Sequence, residues 1–143
     1  MGFFGNLFNK EEQKKLNHLK ILWIILEKSG RNDITHAFFL MKMFALGVSP
    51  DHLEEINGVP FEDIAKLVPK SPMDQTRLIK DIITMAMIDD DPLSSALTTD
   101  LARLVAHLCD INPDAIDHLV EQYSTDQELQ QELQYIKELC KKD

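Results

Sequence analysis

The sequence predicts an all-α protein, a single-domain bundle of about eight helices built from two pseudo-symmetric helical repeats. Three observations predict this fold class: helical apolar spacing along nearly the whole chain, clear residues for starting and ending helices, and an internal similarity at a shift of 63 residues. No segment combines apolar–polar alternation with β-branched residues, so no strand is expected. The 143 residues suit one domain, with repeat halves at about 10–57 and 72–123 and a C-terminal helix over 125–141.

The first two helices are predicted from apolar runs that end at glycines. One helix is expected over residues 10–28, because Gly30 follows as a terminator. The second is expected to run from Asp33 to just before Gly47. Its side chains are apolar nearly all round, which is typical of a helix at the centre of a bundle.

The later helices start at recognisable cap residues. A side-chain oxygen followed by proline suits a first helical turn, because the oxygen accepts an unpaired N–H and proline has none to leave unpaired. This pair occurs at Ser49-Pro50, Ser71-Pro72 and Asn112-Pro113. Thr125 with Glu128 fits a capping box and predicts the start of the last helix. A short segment over 61–68 and a helix from about Ser94 to residue 108 complete the set.

The internal similarity places residues 48–56 over residues 111–119, where the cap, the proline, an aspartate and three apolar positions coincide. A repeat that cannot bury its apolar face alone packs against its copy, which predicts approximate two-fold symmetry. Chance similarity between amphipathic helices is the alternative. Seven apolar side chains are expected in the core: Leu22, Ile25, Phe38, Met41, Ile82, Met85 and Leu104.

Charge and cysteine content exclude several classes of function. The net charge is −9, and residues 81–126 hold ten acidic residues against one basic residue, Arg103. Such a surface repels phosphate backbones, so nucleic-acid binding is not expected. The longest apolar run, residues 21–26, is far too short to span a membrane. Two cysteines outside any Cys-x-x-Cys pair, with no secretory signal, favour a reducing cytoplasm.

The segments Met85-Ala-Met-Ile-Asp-Asp-Asp91 and Leu101-Ala-Arg-Leu-Val-Ala-His-Leu-Cys-Asp-Ile-Asn-Pro-Asp114 belong to a pattern present twice: apolar helix, loop, second helix and capped third helix. This pattern resembles the TerB-like tellurite-resistance family over roughly residues 19–123. The resemblance implies a non-enzymatic helical module that docks to a protein partner in a stress-response or envelope-associated complex. It also implies divalent-cation binding by acidic residues near the loop between the first two helices of each half.

The sequence departs from the family at that loop. The family's Asp-Gly step reads Lys28-Ser29-Gly30 in the first half and Asp90-Asp91-Pro92 in the second, and its helix glutamate is replaced by Asp100. Together with the resemblance, the carboxylates of Asp89, Asp91 and Asp100 therefore predict a cation site, for calcium, in the second half only, since calcium takes several oxygen ligands. The alternative is a solvated loop with ordinary Asp-Pro turn chemistry.

The N-terminal segment is a candidate for contact with a partner or a membrane surface. Phe3, Phe4, Leu7 and Phe8 share one face if the segment is helical, and lysines follow them. Such a segment can rest on the inner face of an anionic membrane as a peripheral contact. The alternative is that these rings fold back and cover the bundle.

Two other functions remain open at this point. One is an acidic protein-interaction or inhibitor protein that neutralises a basic target without a metal. The other is an enzyme with a spatially assembled site, although the chain has no catalytic motif and no catalytic residue is assigned. The docking module and the inhibitor share one expectation: the partner is a protein, no nucleic acid is bound, and the chain does not span a membrane.

Overall fold

A computed structural model describes residues 3–141, with side chains described from Lys10 onward. Within that range there are eight α-helices and no strand, which confirms the all-α bundle. The helices are α1 (Phe3–Ser29), α2 (Asp33–Ala45), α3 (Leu53–Asn57), α4 (Ile64–Leu67), α5 (Pro72–Ile88), α6 (Pro92–Leu108), α7 (Asp114–Thr125) and α8 (Gln127–Lys141). Short 3₁₀ turns at Pro50–His52 and Phe61–Asp63 lead into α3 and α4.

The centre of the bundle is α1, and the expectation that α2 lies there is wrong. Residues 19–26 are buried without interruption, and α1 contacts every helix from α2 to α6. In contrast, α2 leaves Leu40 and Phe44 exposed, and the Phe44 side chain is 87% accessible. An apolar composition on all faces is compatible with either position, because it does not specify how many neighbours a helix has.

Most of the expected core is buried. Five of the seven predicted side chains are at most 1% exposed: Leu22, Ile25, Phe38, Ile82 and Met85. The other two, Met41 and Leu104, are only partly buried. Trp23 packs edge-on against Phe39 with ring centroids 5.2 Å apart, which joins α1 to α2.

Several helix starts agree with the sequence, and three differ. Helix α1 begins at Phe3, seven residues before the predicted start. Ser71 caps α5 as expected, with its hydroxyl accepting from the Asp74 N–H. Helix α6 begins at Pro92, two residues before the predicted start, because Asp91 is its cap. Helix α8 is capped by Asp126, whose Oδ1 accepts from the Leu129 N–H at 3.1 Å. The predicted cap, Thr125, is instead the last residue of α7.

The hydrogen bonds that end the second helix of each half recur at the 63-residue shift. The Val48 N–H donates to the Met43 carbonyl at 3.1 Å, and the Ile111 N–H donates to the Ala106 carbonyl at 2.8 Å. The residue before each donor is left-handed: Gly47 has φ 71° and Asp110 has φ 59°. Both ends are therefore the same left-handed C-terminal motif, which glycine adopts at lower cost than aspartate.

The two loops that precede these helices do not keep the same register. Residues 30–32 join α1 to α2 and residues 89–91 join α5 to α6, an offset of 59 residues rather than 63. The difference of four residues is about one helical turn. The hydrogen bonds match only over residues 42–52 and 105–115. That the whole halves superpose therefore stays a prediction.

No helix within residues 3–141 is both long enough and apolar enough to cross a bilayer.

A basic cleft as the candidate functional site

The aspartates predicted to bind a cation have structural roles at the α5–α6 loop. The Oδ1 atom of Asp91 accepts from the N–H groups of Leu93 at 3.0 Å and Ser94 at 3.4 Å, so it caps α6. The Oδ1 atom of Asp89 accepts from the Asp91 N–H and from the Asn32 side-chain amide, both at 2.9 Å. Asp89 thus links this loop to the start of α2.

Asp100 does not join the other two aspartates. It lies nine residues after Asp91 along a continuous α6, about 13 Å further along the helix axis. Its carboxylate accepts from Arg103 at 2.5 Å, and Arg103 also pairs with Asp117 at 2.6 Å. Residues 10–141 contain no group of three or more His, Cys, Asp or Glu side chains arranged to hold a metal ion. The predicted calcium site at Asp89, Asp91 and Asp100 is therefore not assembled.

The second predicted contact surface cannot be placed. The backbone from residue 3 belongs to α1, but the side chains of Phe3, Phe4, Leu7 and Phe8 lie outside the described residues.

A cleft of about 500 Å³ lies between α1, α2, α4 and α5. Its volume is within the range of small-ligand sites in proteins. Five of its lining side chains are cationic: Lys14, Lys15, Lys42, Arg77 and Lys80. Three are acidic: Glu11, Asp74 and Asp81. The cleft is therefore locally positive on a chain whose net charge is −9.

Asp81 organises the recessed end of the cleft. Its Oδ2 atom lies 2.7 Å from His18 Nε2, and its Oδ1 atom lies 3.2 Å from Lys42 Nζ. Because an ionised carboxylate only accepts hydrogen bonds, Nε2 is the protonated nitrogen of His18 in this pair. The side chains of His18 and Asp81 are each 16% exposed, so α1, α2 and α5 hold this cluster in a partly desolvated position.

Asp74 organises the other end of the cleft through longer contacts. It lies 3.8 Å from Lys14 and 3.8 Å from Arg77, and Lys14 also reaches Glu11 at 3.4 Å. The Lys14 and Arg77 side chains are 56% and 68% exposed. Exposed pairs of this kind contribute little and rearrange readily, so these cations are able to exchange partners with an incoming anion.

Two cations of the cleft have no internal partner among residues 10–141. Neither Lys15 nor Lys80 forms an ion pair there, although every acidic residue of the cleft is paired with another side chain. Lys15 follows Lys14 on α1, and Lys80 precedes Asp81 on α5. The unpaired positive charges therefore come from two different helices of the cleft.

The remaining lining is mainly apolar. Leu46 caps the end of α2, and Leu67, Val68 and Pro69 follow one another from the end of α4. All four are partly buried. The cleft therefore combines cationic side chains with an apolar patch, and none of its fourteen lining residues is Ser, Thr or Cys.

A second, smaller cavity of about 270 Å³ lies between α1 and the α3–α4 region and is lined by Trp23, Lys28 and Phe61 among others. The Lys28 ammonium lies 5.1 Å from the Phe61 ring centroid, and the Arg31 guanidinium lies 5.3 Å from the Trp23 ring. These cations already contact the aromatic faces, so this cavity presents no comparable set of unpaired charges.

Sequence reasoning missed the basic cleft. Its cations come from α1, α2 and α5, and they are separated by up to 66 residues in the chain. The only signal was the basic character of the first 42 residues, with seven Lys or Arg against four Asp or Glu.

No family model, no curated protein and no solved structure is detectably similar to this chain.

Proposed function

We propose that this protein is a non-enzymatic helical docking module whose basic cleft receives an anionic group of its partner. The observation that carries the proposal is the gathering of five Lys or Arg side chains around one cleft on a chain of net charge −9. A local field opposite in sign to the rest of the surface attracts anions to that place and repels them elsewhere.

The chemistry of the lining supports binding rather than catalysis. His18 is oriented by Asp81, as a general base often is, but no lining residue offers a hydroxyl or thiol nucleophile. Asp81 is shared with Lys42, so the cluster also fixes three helices in place. The TerB-like resemblance adds the expectation of a cytoplasmic, envelope-associated or stress-response complex, now without a calcium site in the proposal.

The proposal is tested with small multivalent anions and matched variants. Citrate and tripolyphosphate at millimolar concentration are expected to raise the melting temperature of the wild-type protein by a few degrees. The basis is that binding stabilises the fold by about 1.4 kcal/mol when the free anion is tenfold above Kd. Sodium chloride at equal ionic strength is the control for the general screening of surface charges by salt.

Replacing Lys15 and Lys80 with Gln removes the two unpaired charges and should abolish the anion-dependent shift. The matched control replaces Lys28 and Lys141 with Gln, because both are exposed and neither lines the cleft. This control changes the net charge by the same amount as the Lys15 and Lys80 double variant. It should keep the anion-dependent rise in melting temperature. Equal loss in both double variants would show a nonspecific charge effect and refute the proposal.

A second candidate function is docking of a basic partner on the acidic half, without a metal. The observation that favours it is an exposed apolar pair on α6, with Leu93 70% and Leu97 39% accessible. Asp100 is exposed one turn further along the same helix. Replacing Leu93 and Leu97 with Ser should weaken binding of a cationic amphipathic peptide and leave the citrate response unchanged.

A further inference from the structure

We infer that the occupant of the basic cleft is an acidic segment of a partner protein that carries one apolar side chain between its carboxylates. This inference rests on the proposed function and names the ligand of the same cleft. It follows from three features: the spacing of the charges, the apolar patch, and the carboxylates that lie among the cations.

The charges of the cleft are spread along a line rather than gathered at one point. Asp74 and Asp81 are seven residues apart on α5, which is about 10 Å along the helix axis. Lys14 pairs with Asp74 at one end, and Lys42 pairs with Asp81 at the other. A single phosphate or carboxylate is too small to engage both ends, whereas an extended chain covers about 10 Å in three residues.

The apolar patch distinguishes an amphipathic segment from a purely polar anion. Leu46, Leu67 and Val68 are partly buried and line the same cleft as the charged side chains. A hydrophilic anion would leave this apolar surface in contact with water, while a leucine or phenylalanine between two carboxylates would cover it. Exposed ion pairs alone give weak binding, so the apolar contact is expected to supply much of the affinity.

The acidic side chains of the cleft argue against the two other macromolecular anions. Glu11, Asp74 and Asp81 lie among the cations of the cleft, and the chain as a whole has a net charge of −9. A continuous phosphate backbone or an anionic lipid surface would meet these carboxylates as well as the cations, and the net negative charge of the chain opposes its approach. The His18–Asp81 cluster, at 16% exposure, is also recessed where a flat membrane surface does not reach.

The experiment measures binding of fluorescent peptides to the full chain by anisotropy. The test peptide has two glutamates three residues apart with a leucine between them, flanked by serines. Its controls replace the leucine with serine, or both glutamates with lysine. We expect the leucine peptide to bind about 10- to 100-fold more tightly than the serine peptide, the factor expected for burying one large apolar side chain. The lysine peptide should not bind.

The variants place this binding in the cleft. Replacing Lys15 and Lys80 with Gln should weaken the leucine peptide at least tenfold, while replacing Lys28 and Lys141 with Gln should leave its affinity within about twofold. Unlabelled citrate should compete with the peptide at the wild-type cleft. Retention of full peptide affinity in the Lys15 and Lys80 double variant would overturn the inference.

The remaining outcomes separate this inference from the proposed function. If citrate and tripolyphosphate bind but the leucine peptide binds no more tightly than the serine peptide, the cleft is a small-anion site. The inference then fails, while the proposed function stands. Binding to vesicles containing phosphatidylserine that is tighter than binding to the leucine peptide would assign the cleft to a membrane. Self-association of the protein that citrate reverses would assign it to a second copy of the chain. Either of these results overturns the inference. If no anion of any kind binds, both fail.

Discussion

His18 and Asp81 share a 2.7 Å hydrogen bond and are 63 residues apart in the chain, the same shift at which the sequence resembles itself. In a two-fold arrangement, a residue that contacts its own counterpart lies close to the symmetry axis. The pair therefore locates the expected pseudo-two-fold axis between α1 and α5. It also lies at the recessed end of the basic cleft.

We predict that residues 19–56 superpose on residues 82–119 about this axis as matched helices. The equivalent C-terminal motifs of α2 and α6 supply the reason, because their hydrogen bonds already coincide. A crystal structure would measure the rotation that relates the two segments. Helix directions with no common rotation would end the repeat hypothesis while leaving the all-α fold unaffected.

Replacing Asp81 with Ala is predicted to destabilise the protein by about 1–3 kcal/mol, because it leaves Lys42 and His18 without their shared acceptor in a partly buried position. Urea unfolding followed by circular dichroism measures the change. Asp63 provides the control, because it pairs at 3.6 Å with an 81%-exposed Lys66. Its replacement with Ala should cost less than about 0.5 kcal/mol. Equal costs for both variants would contradict a structural role for the cluster.

Two phenylalanines of α2 test which face of that helix is buried. Phe38 is 1% exposed and Phe44 is 87% exposed. Replacing Phe38 with Ala should cost about 3–5 kcal/mol, since a large aromatic side chain leaves a cavity. Replacing Phe44 with Ala should change the unfolding free energy by less than about 0.5 kcal/mol. A cost below about 1 kcal/mol at Phe38 would mean that α2 is misplaced.

Helix ends were predictable because their chemistry is local. Cap side chains and left-handed terminators act within four residues of themselves, so Ser71, Gly30 and Gly47 could be interpreted without knowing the tertiary structure. The error at Thr125 arose from two adjacent residues, Thr125 and Asp126, that can both cap. The carboxylate one position later supplies the cap, and the threonine hydroxyl instead donates to the Glu121 carbonyl.

The candidate site was not predictable by the same reasoning. Lys15, Lys42 and Lys80 lie on different helices, and only the packing of α1, α2 and α5 brings them together. The carboxylates of the predicted cation site lie apart for a related reason. Asp91 before a proline is equally suitable as a loop ligand and as a helix cap, and its side chain is used as a cap. Once α6 starts at Pro92, Asp100 is held too far along the helix to converge with Asp91.

The capping role of Asp91 gives a direct test. Replacing Asp91 with Ala should cost about 0.5–2 kcal/mol, whereas Asn, which also caps well, should cost much less. Thermal unfolding measures both variants, with and without millimolar calcium or magnesium. Because the carboxylates do not converge, the two ions should act alike by screening, and neither substitution should alter their effect. A calcium-specific rise in melting temperature that Asp91→Asn removes would restore the metal site.

The two buried cysteines give a prediction that depends on pH. Cys109 and Cys140 are each 8% exposed, and burial raises the pKa of both thiols, with a further contribution from Asp110 at Cys109. A raised pKa in the fold means that the unfolded chain loses its thiol protons first as pH rises. The raised thiol pKa in the folded state therefore contributes to the free energy of unfolding below the ordinary thiol pKa of about 9.0. This contribution is lost as pH rises above that value.

At pH 8 both thiols are therefore predicted to react slowly with a disulfide reagent in the native protein, and rapidly in urea. Cys140 lies one residue before the end of α8, so fraying of that helix should expose it before global unfolding exposes Cys109. Mass spectrometry after timed labelling distinguishes the two sites, and a Cys140→Ala variant isolates the slower thiol. Labelling of both native cysteines at the rate of a free thiol would show that α8 does not stay packed on the bundle.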